Sequence, residues 1–271
     1  MTRFNWLAAL FFTALFIASF MLGDDRSLFI NSLGLLIVLS GTFAALFLSY
    51  PARSIGAAFR VAGNACVQRL PTTDEIVDTL IYLSVHSRRK GVLALENAEE
   101  ETTISFLKRA LGMLVDNFSV DELRDILYTE MYYFQQRRNQ HERLFRHAAR
   151  LAPAFGVAGS VIGLITMLSG IGDPDVILKS IPVALTSTLY GIVIGNLLLM
   201  PMAENISSKT RRELMKQKLI TDGVIAIRQE QNSQRLLKKL ESFLTPSARE
   251  ETQQSFEEIR ERVRNLHFDE A

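Results

Sequence analysis

The sequence predicts an all-α membrane protein with four transmembrane helices, paired as two hairpins, and a helical cytoplasmic domain. Three observations predict it: long charge-free stretches, the distribution of Lys and Arg around them, and helical apolar spacing behind capping signals elsewhere. The chain has 271 residues, 48% of them hydrophobic, and a formal net charge of +1, so the apolar and charged residues are sharply segregated.

Residues 4–22, 28–50, 152–170 and 181–203 contain no Asp, Glu, Lys, Arg or His. Each is roughly 19 to 23 residues long, enough to cross a hydrocarbon core of about 30 Å as a helix. The first is followed by Gly23-Asp24-Asp25-Arg26-Ser27 and then at once by the second stretch. It therefore reads as a span, not a cleaved leader. The two short links carry only Arg26 and Lys179 among the basic residues; all other Lys and Arg lie at the N-terminus, in 51–151 or after 203. The positive-inside rule then places both termini and the middle segment in the cytoplasm. Residues 1–50 would hold transmembrane helices 1 and 2, 51–151 a cytoplasmic helical domain, 152–203 transmembrane helices 3 and 4, and 204–271 C-terminal helices with a charged tail.

In the cytoplasmic part, Thr72-Thr73-Asp74-Glu75 offers a capping box ahead of Ile76, Val77, Leu80, Ile81 and Leu83. Gly91 interrupts that pattern. A second box, Ser119 to Glu122, opens a segment without Gly or Pro until Pro153. One helix is expected from Val120 to Gly170, roughly 75 Å at 1.5 Å per residue, kinked near Pro153 and running straight into the third span. Strand signals are weak. The tail 247–267 reads as a solvated or frayed helix. Cys66 reads as a free cytoplasmic thiol. His86, His141, His147 and His267 have no metal-ligand spacing and read as solvated or capping residues. Enzyme chemistry has no phosphate loop, nucleophile–base pair or metal cluster to rest on, and the charge balance gives no support for nucleic-acid binding.

The third span places Gly156, Gly159, Ser160, Gly163, Met167 and Gly170 at spacings of three and four, and the fourth contains Gly191-x-x-x-Gly195. Small residues let helices approach closely in lipid, so these faces are expected to carry assembly. The plainer alternative is that they only pack the two hairpins together. The fourth span also holds Thr186, Ser187 and Thr188 in a row, with Tyr190 and Asn196 as further polar groups. Proton relays usually need an intramembrane ionisable group, and this chain has none. Hydroxyls can instead surround a carboxylate brought by another chain, since they donate and accept hydrogen bonds without the cost of a buried charge.

The stretches 35–51, 87–96, 152–168 and 182–206 resemble the MotA family of stator subunits, within the MotA/TolQ/ExbB group. The resemblance implies a homopentameric ring around a dimer of a MotB-like partner, each copy with one span and a transmembrane aspartate. It implies proton transport, or sodium as the alternative, with no cofactor, across the bacterial inner membrane, and a FliG-like rotor on the cytoplasmic side. Thr188 looks like the threonine that faces the partner's aspartate. Ser160 stands where sodium-driven members tend to carry threonine. Thr186 and Ser187 would join these two in lining the ion path. Pro153 and Pro201 resemble the hinge prolines at the cytoplasmic ends of the channel helices, against the plainer reading as helix boundaries. Arg88 and Glu96 match the charged pair that touches the rotor, the alternative being solvated surface charge. The first span, 4–22, departs from the glycine-rich family pattern, and Thr186 stands where the family has an apolar residue. Rival readings are an ion-driven rotary motor for a non-flagellar task and a structural membrane scaffold.

Overall fold

The computed structural model describes residues 3–22, 29–64, 71–96, 98, 102, 104–230 and 232–244, with Pro246, Arg249, Gln253, Phe256 and Glu257 beyond them. Cys66, His267 and most of the predicted tail lie outside the described residues. All regular structure among the described residues is helical: α1 (Arg3–Met21), α2 (Ser32–Ser49), α3 (Ala52–Asn64), α4 (Thr73–Lys90), a 3₁₀ turn (Val92–Leu95), α5 (Ser105–Val115), α6 (Val120–Ser169), α7 (Pro174–Val193), a π-helical segment (Ile194–Leu199), α8 (Met200–Arg228) and α9 (Ser233–Glu241). Three helical stretches are long and apolar enough to cross a membrane: Ser32–Ser49, Val120–Ser169 and the continuous Pro174–Arg228. The predicted first span is also helical, as α1.

Local sequence signals set most of these boundaries. Thr72 and Glu75 form the reciprocal capping box at the start of α4. Ser119 and Glu122 do the same for α6, and the bonds from Ser119 hold the Glu122 carboxyl below its ordinary value of 4.5. That cap strengthens the fold above this ordinary value and loses its contribution as the pH falls through the lowered one. Tyr50 ends α2 in extended conformation, φ −137° and ψ 143°, because the ring of Pro51 disfavours helical geometry in the residue before it. The turn from α6 to α7 uses Gly172 at φ +109°, and Asp173 then caps α7 by accepting from the Asp175 amide. Helix α7 thus begins at Pro174, seven residues ahead of the charge-free stretch, because Asp173 and Pro174 supply an N-cap and an N1 proline.

The chain divides into two compact units. One comprises residues 1–63 and 140–206. Its core joins Val38 and Leu46 of α2, Ile55, Ala58 and Ala62 of α3, Leu144 to Ala152 of α6, and Leu199, Ala203 and Ile206. Arg146 bonds Glu142 on its own helix and Glu204 of α8, both at 2.8 Å. His147 is half-buried, edge-on to Tyr50 with centroids 5.8 Å apart, so the solvated reading does not hold for it.

The second unit comprises residues 64–139 and 207–271. Leu80, Leu107, Leu111, Leu127, Leu219, Val224, Leu236 and Leu240 form its core. Gly223 admits Leu80, whose Cδ1 would lie 2.7 Å from a Cβ at that position. The tail is not purely solvated, since Phe256 is 7% exposed and belongs to this core. Arg249 and Gln253 bond back to Glu241.

One polar group in the membrane-crossing unit stands out. The Thr42 hydroxyl of α2 is buried with no hydrogen-bond partner among the described residues. It borders a cavity of about 100 Å³ lined otherwise by apolar side chains, including Phe43, Leu46, Phe145 and Leu198. Water needs two to four polar partners, so this cavity is dry. Thr42→Val should therefore raise stability by roughly 1 kcal/mol, because it removes an unsatisfied hydroxyl without changing volume. Thermal unfolding of the purified protein checks this; a lower midpoint for the variant would show that the hydroxyl is bonded.

Candidate functional site

The site is built where α6 and α7 touch. The glycine stripe of α6 meets the hydroxyl stretch and glycines of α7 backbone to backbone. A Cβ on Gly156 would lie 2.9 Å from the Ser187 carbonyl oxygen, one on Gly159 2.6 Å from Ser187 Cβ, and one on Gly163 2.7 Å from the Ala184 nitrogen. From the other side, a Cβ on Gly191 would lie 3.0 Å from Pro153 Cα, and one on Gly195 2.7 Å from the Ala149 carbonyl oxygen. All five glycines are buried within one chain. These five glycines are filled by the packing of α6 on α7, the contact that the plainer alternative describes.

This approach separates the four candidate hydroxyls into two kinds. Ser187 is 0% exposed, donates to the Val183 carbonyl at 2.6 Å, and sits opposite Gly159 and Gly34 of α2. Thr186 is 5% exposed and donates to the Pro182 carbonyl at 2.7 Å. Both are committed to their own helix and to packing. Ser160 and Thr188 are only half-buried and meet across the helix pair, oxygen to oxygen at 2.5 Å. Ser160 also donates to the Ala184 carbonyl, and Thr188 lies 3.4 Å from the Gly156 carbonyl. Each hydroxyl has one proton. With Ser160 donating to Ala184, Thr188 donates to Ser160 and keeps its acceptor lone pairs for something outside the chain.

Pro153 lies inside α6, and Pro201, the second residue of α8, lies inside the continuous helical stretch Pro174–Arg228. Pro153 cannot donate to the Ala149 carbonyl, and Gly195 brings α7's continuation against that freed oxygen. Pro201 lies two residues past the π segment Ile194–Leu199, the sort of local unwinding that a missing amide donor invites. Sequence reasoning passed over this segment, and also Pro182, which sits inside α7 and accepts from Thr186.

With this geometry in view, comparison with known proteins is direct. The sequence profile of the MotA/TolQ/ExbB proton channel family matches residues 98–218. The chain is similar to Motility protein A of Treponema phagedenis, 31% identical over 231 residues that cover 85% of this chain and 89% of that one. The chain belongs to the MotA/TolQ/ExbB proton channel family. It is also 29% identical to Chemotaxis protein PomA of Vibrio alginolyticus, over 87% of this chain and 92% of that one. Among solved structures, it superposes on the flagellar MotAB stator complex from Bacillus subtilis with a TM-score of 0.81. That match has 29% identity and covers 93% of this chain and 98% of that chain.

Two further features of this family member bear on function. The Tyr190 hydroxyl of α7 accepts from the Asn31 amide at 2.8 Å and donates to the Phe29 carbonyl, while Asn31 caps α2 through the Gly34 amide at 2.9 Å. The start of α2 is thereby fixed at the level of the hydroxyl pair. An Asn ahead of an apolar run was the only signal for it. In the other unit, Arg88, Arg89 and Lys90 close the last turn of α4, where cations favour the helix terminus. Glu96 follows the 3₁₀ turn, and Arg88, Lys90 and Glu96 are exposed.

If the glycines serve contact within the chain, Gly159→Leu should prevent folding of the monomer instead of selectively dissolving an oligomer. The Leu side chain has no room against Ser187, and overpacking typically costs about 1–3 kcal/mol or more. Membrane abundance and protease resistance of the variant test this; a stable, protease-resistant but monomeric Gly159→Leu chain would return the stripe to the ring interface.

Proposed function

We propose that the chain is the ion-conducting stator subunit of a rotary motor, a multi-pass protein of the bacterial inner membrane that drives flagellar rotation with a MotB-like partner. The observation that carries this reading is the Ser160–Thr188 pair, held half-open on the stretches 152–170 and 181–203, which contain no Asp, Glu, Lys, Arg or His. In this reading the spans number four, both termini are cytoplasmic, five copies form the ring, and two partner helices bring the aspartates. Residues 51–151 and 204–271 form the cytoplasmic part, with Arg88 and Glu96 toward a FliG-like rotor. Ser160 and Thr188 line the path. Pro153 and Pro201, with the π segment, are the places where the helices bend.

The pair suits a carboxyl group in both of its charge states. A neutral carboxyl donates to a lone pair of Thr188 Oγ1 while the Thr188 proton stays on Ser160. A carboxylate needs donors, and the Thr188 hydroxyl rotates from Ser160 toward it. Ser160 remains bonded to the Ala184 carbonyl throughout, so no buried hydroxyl proton is stranded. Loss and gain of the carboxyl proton thus change which bond Thr188 makes across the contact of α6 and α7.

Protons are the proposed ion. One observation favours a second reading: Ser160 Oγ, Thr188 Oγ1 and the carbonyls of Gly156 and Ala184 form a group of four neighbouring oxygens, a donor set that also suits sodium. Thr188→Ser should keep a substantial part of ion conductance and swimming, whereas the near-isosteric Thr188→Val should lose on the order of tenfold, the weight of a hydrogen bond to a charged group. Equal function of Val and Thr at 188 would remove the hydroxyl from ion transfer. Swimming that follows external sodium and survives a protonophore, and that shifts with Ser160→Thr, would select the sodium reading.

Charge at the rotor contact is tested separately. Arg88→Glu should leave ring assembly and conductance intact and reduce swimming without abolishing it, because exposed ion pairs contribute about 0–1 kcal/mol each. A compensating reversal on the rotor should recover part of the loss. Unchanged swimming in Arg88→Glu and Glu96→Lys would assign this pair to ordinary surface.

A further inference from the structure

Between the two proposed rotor-facing charges stands Leu93, 72% exposed. A lone exposed leucine is ordinary on a protein surface. This one is set in an outward position by the backbone around it. Gly91, at φ +84°, breaks α4 and starts a 3₁₀ turn, closed by the Ala94 amide on the Gly91 carbonyl. Residues three apart eclipse in such a turn. Val92 and Leu95 are that pair, and both face the core of their unit, Leu95 at 0% exposure. Leu93 must then project away from it. At that exposure the leucine serves no packing need among the described residues.

Its surroundings have the make-up of a contact centre. Arg88 and Lys90 precede it, Glu96 follows it, and all three are exposed without an ion pair among the described residues. On α4, Tyr82, His86 and Lys90 share one face at a spacing of four, and the Tyr82 and His86 rings stack with centroids 5.7 Å apart. Protein contacts concentrate affinity in a few apolar or aromatic anchors, with charged groups around them that set register. Exposed charge pairs by themselves give little affinity.

We infer that Leu93 is the apolar anchor of the rotor contact. It enters a pocket on a protein partner whose rim carries acidic groups opposite Arg88 and Lys90 and a basic group opposite Glu96. This rests on the reading of Arg88 and Glu96 as rotor-facing. The charges select and orient the partner, while Leu93 sets how long each contact lasts, since affinity within one interface is tuned mostly through dissociation.

The experiment uses the full chain with its partner in cells that lack the native copy. Residence time of a fluorescent stator at the motor is measured beside ring assembly and ion conductance. Leu93→Ala and Leu93→Asp should shorten residence by about tenfold, the scale of one lost apolar anchor, with assembly and conductance unchanged. Leu93→Met should stay near the wild-type value. In binding of the purified stator to rotor protein, high salt should weaken the Arg88 contribution and leave that of Leu93 in place. Wild-type residence in Leu93→Ala and Leu93→Asp beside impaired Arg88→Glu would overturn the anchor and keep the rotor reading. Loss of the ring in Leu93→Asp would overturn it in favour of a contact between copies. Wild-type residence in all these variants and in Glu96→Lys would remove the rotor reading itself.

Discussion

Contact between the backbones of α6 and α7 is the constraint on which the rest of the site depends. Side chains of ordinary size would hold two helices 8–10 Å apart. Here glycine faces backbone or a small side chain at Gly156, Gly159, Gly163, Gly191 and Gly195, and the helices close until the carbonyls of one approach the Cα atoms of the other. Only at that separation can the short side chains of Ser160 and Thr188 bond to each other and to the carbonyls of Ala184 and Gly156. In lipid there is no hydrophobic force to hold helices together, so packing and these bonds take its place.

The same close packing sorts hydroxyls by what they can reach. Ser187 and Thr186 face neighbours inside the chain and satisfy themselves on the carbonyls four residues back. Thr188, the next residue, is turned 100° further round the helix and meets Ser160 at the edge of the packed zone. Three adjacent hydroxyls therefore have two uses. The departure at Thr186 from the family's apolar pattern is absorbed by its bond to Pro182 and leaves the pair at Ser160 and Thr188 undisturbed.

Backbone groups released by proline are handled in the same local way. Pro153 leaves the Ala149 carbonyl without its helical donor, and Gly195 lets the facing helix cover it. Pro201 follows a π-helical segment in place of a helix end, so Pro174–Arg228 stays continuous. Proline at the end of an apolar run often marks where a helix stops. Here the neighbouring helix and a local change of pitch compensate for it, which no count along one segment could reveal.

The sequence by itself determined what depends on near neighbours. Charge-free length marked the apolar helical stretches, two capping boxes gave the starts of α4 and α6, and a segment without Gly or Pro until Pro153 pointed to the 50 residues of α6 as one helix. The absence of ionisable groups from the spans, with motifs carried in order, was enough to point to the family. Tertiary structure decided everything that depends on which face meets which. It set the glycines opposite one another in the packing of α6 on α7, and it joined Ser160 to Thr188 across a sequence separation of 28. It also fixed the start of α2 on Tyr190, 159 residues from Asn31. Helical periodicity repeats every 3.6 residues whatever lies opposite, so it can mark a face as small or polar without naming its neighbour. That neighbour is set by how far two backbones can approach, and this is a property of the packed pair.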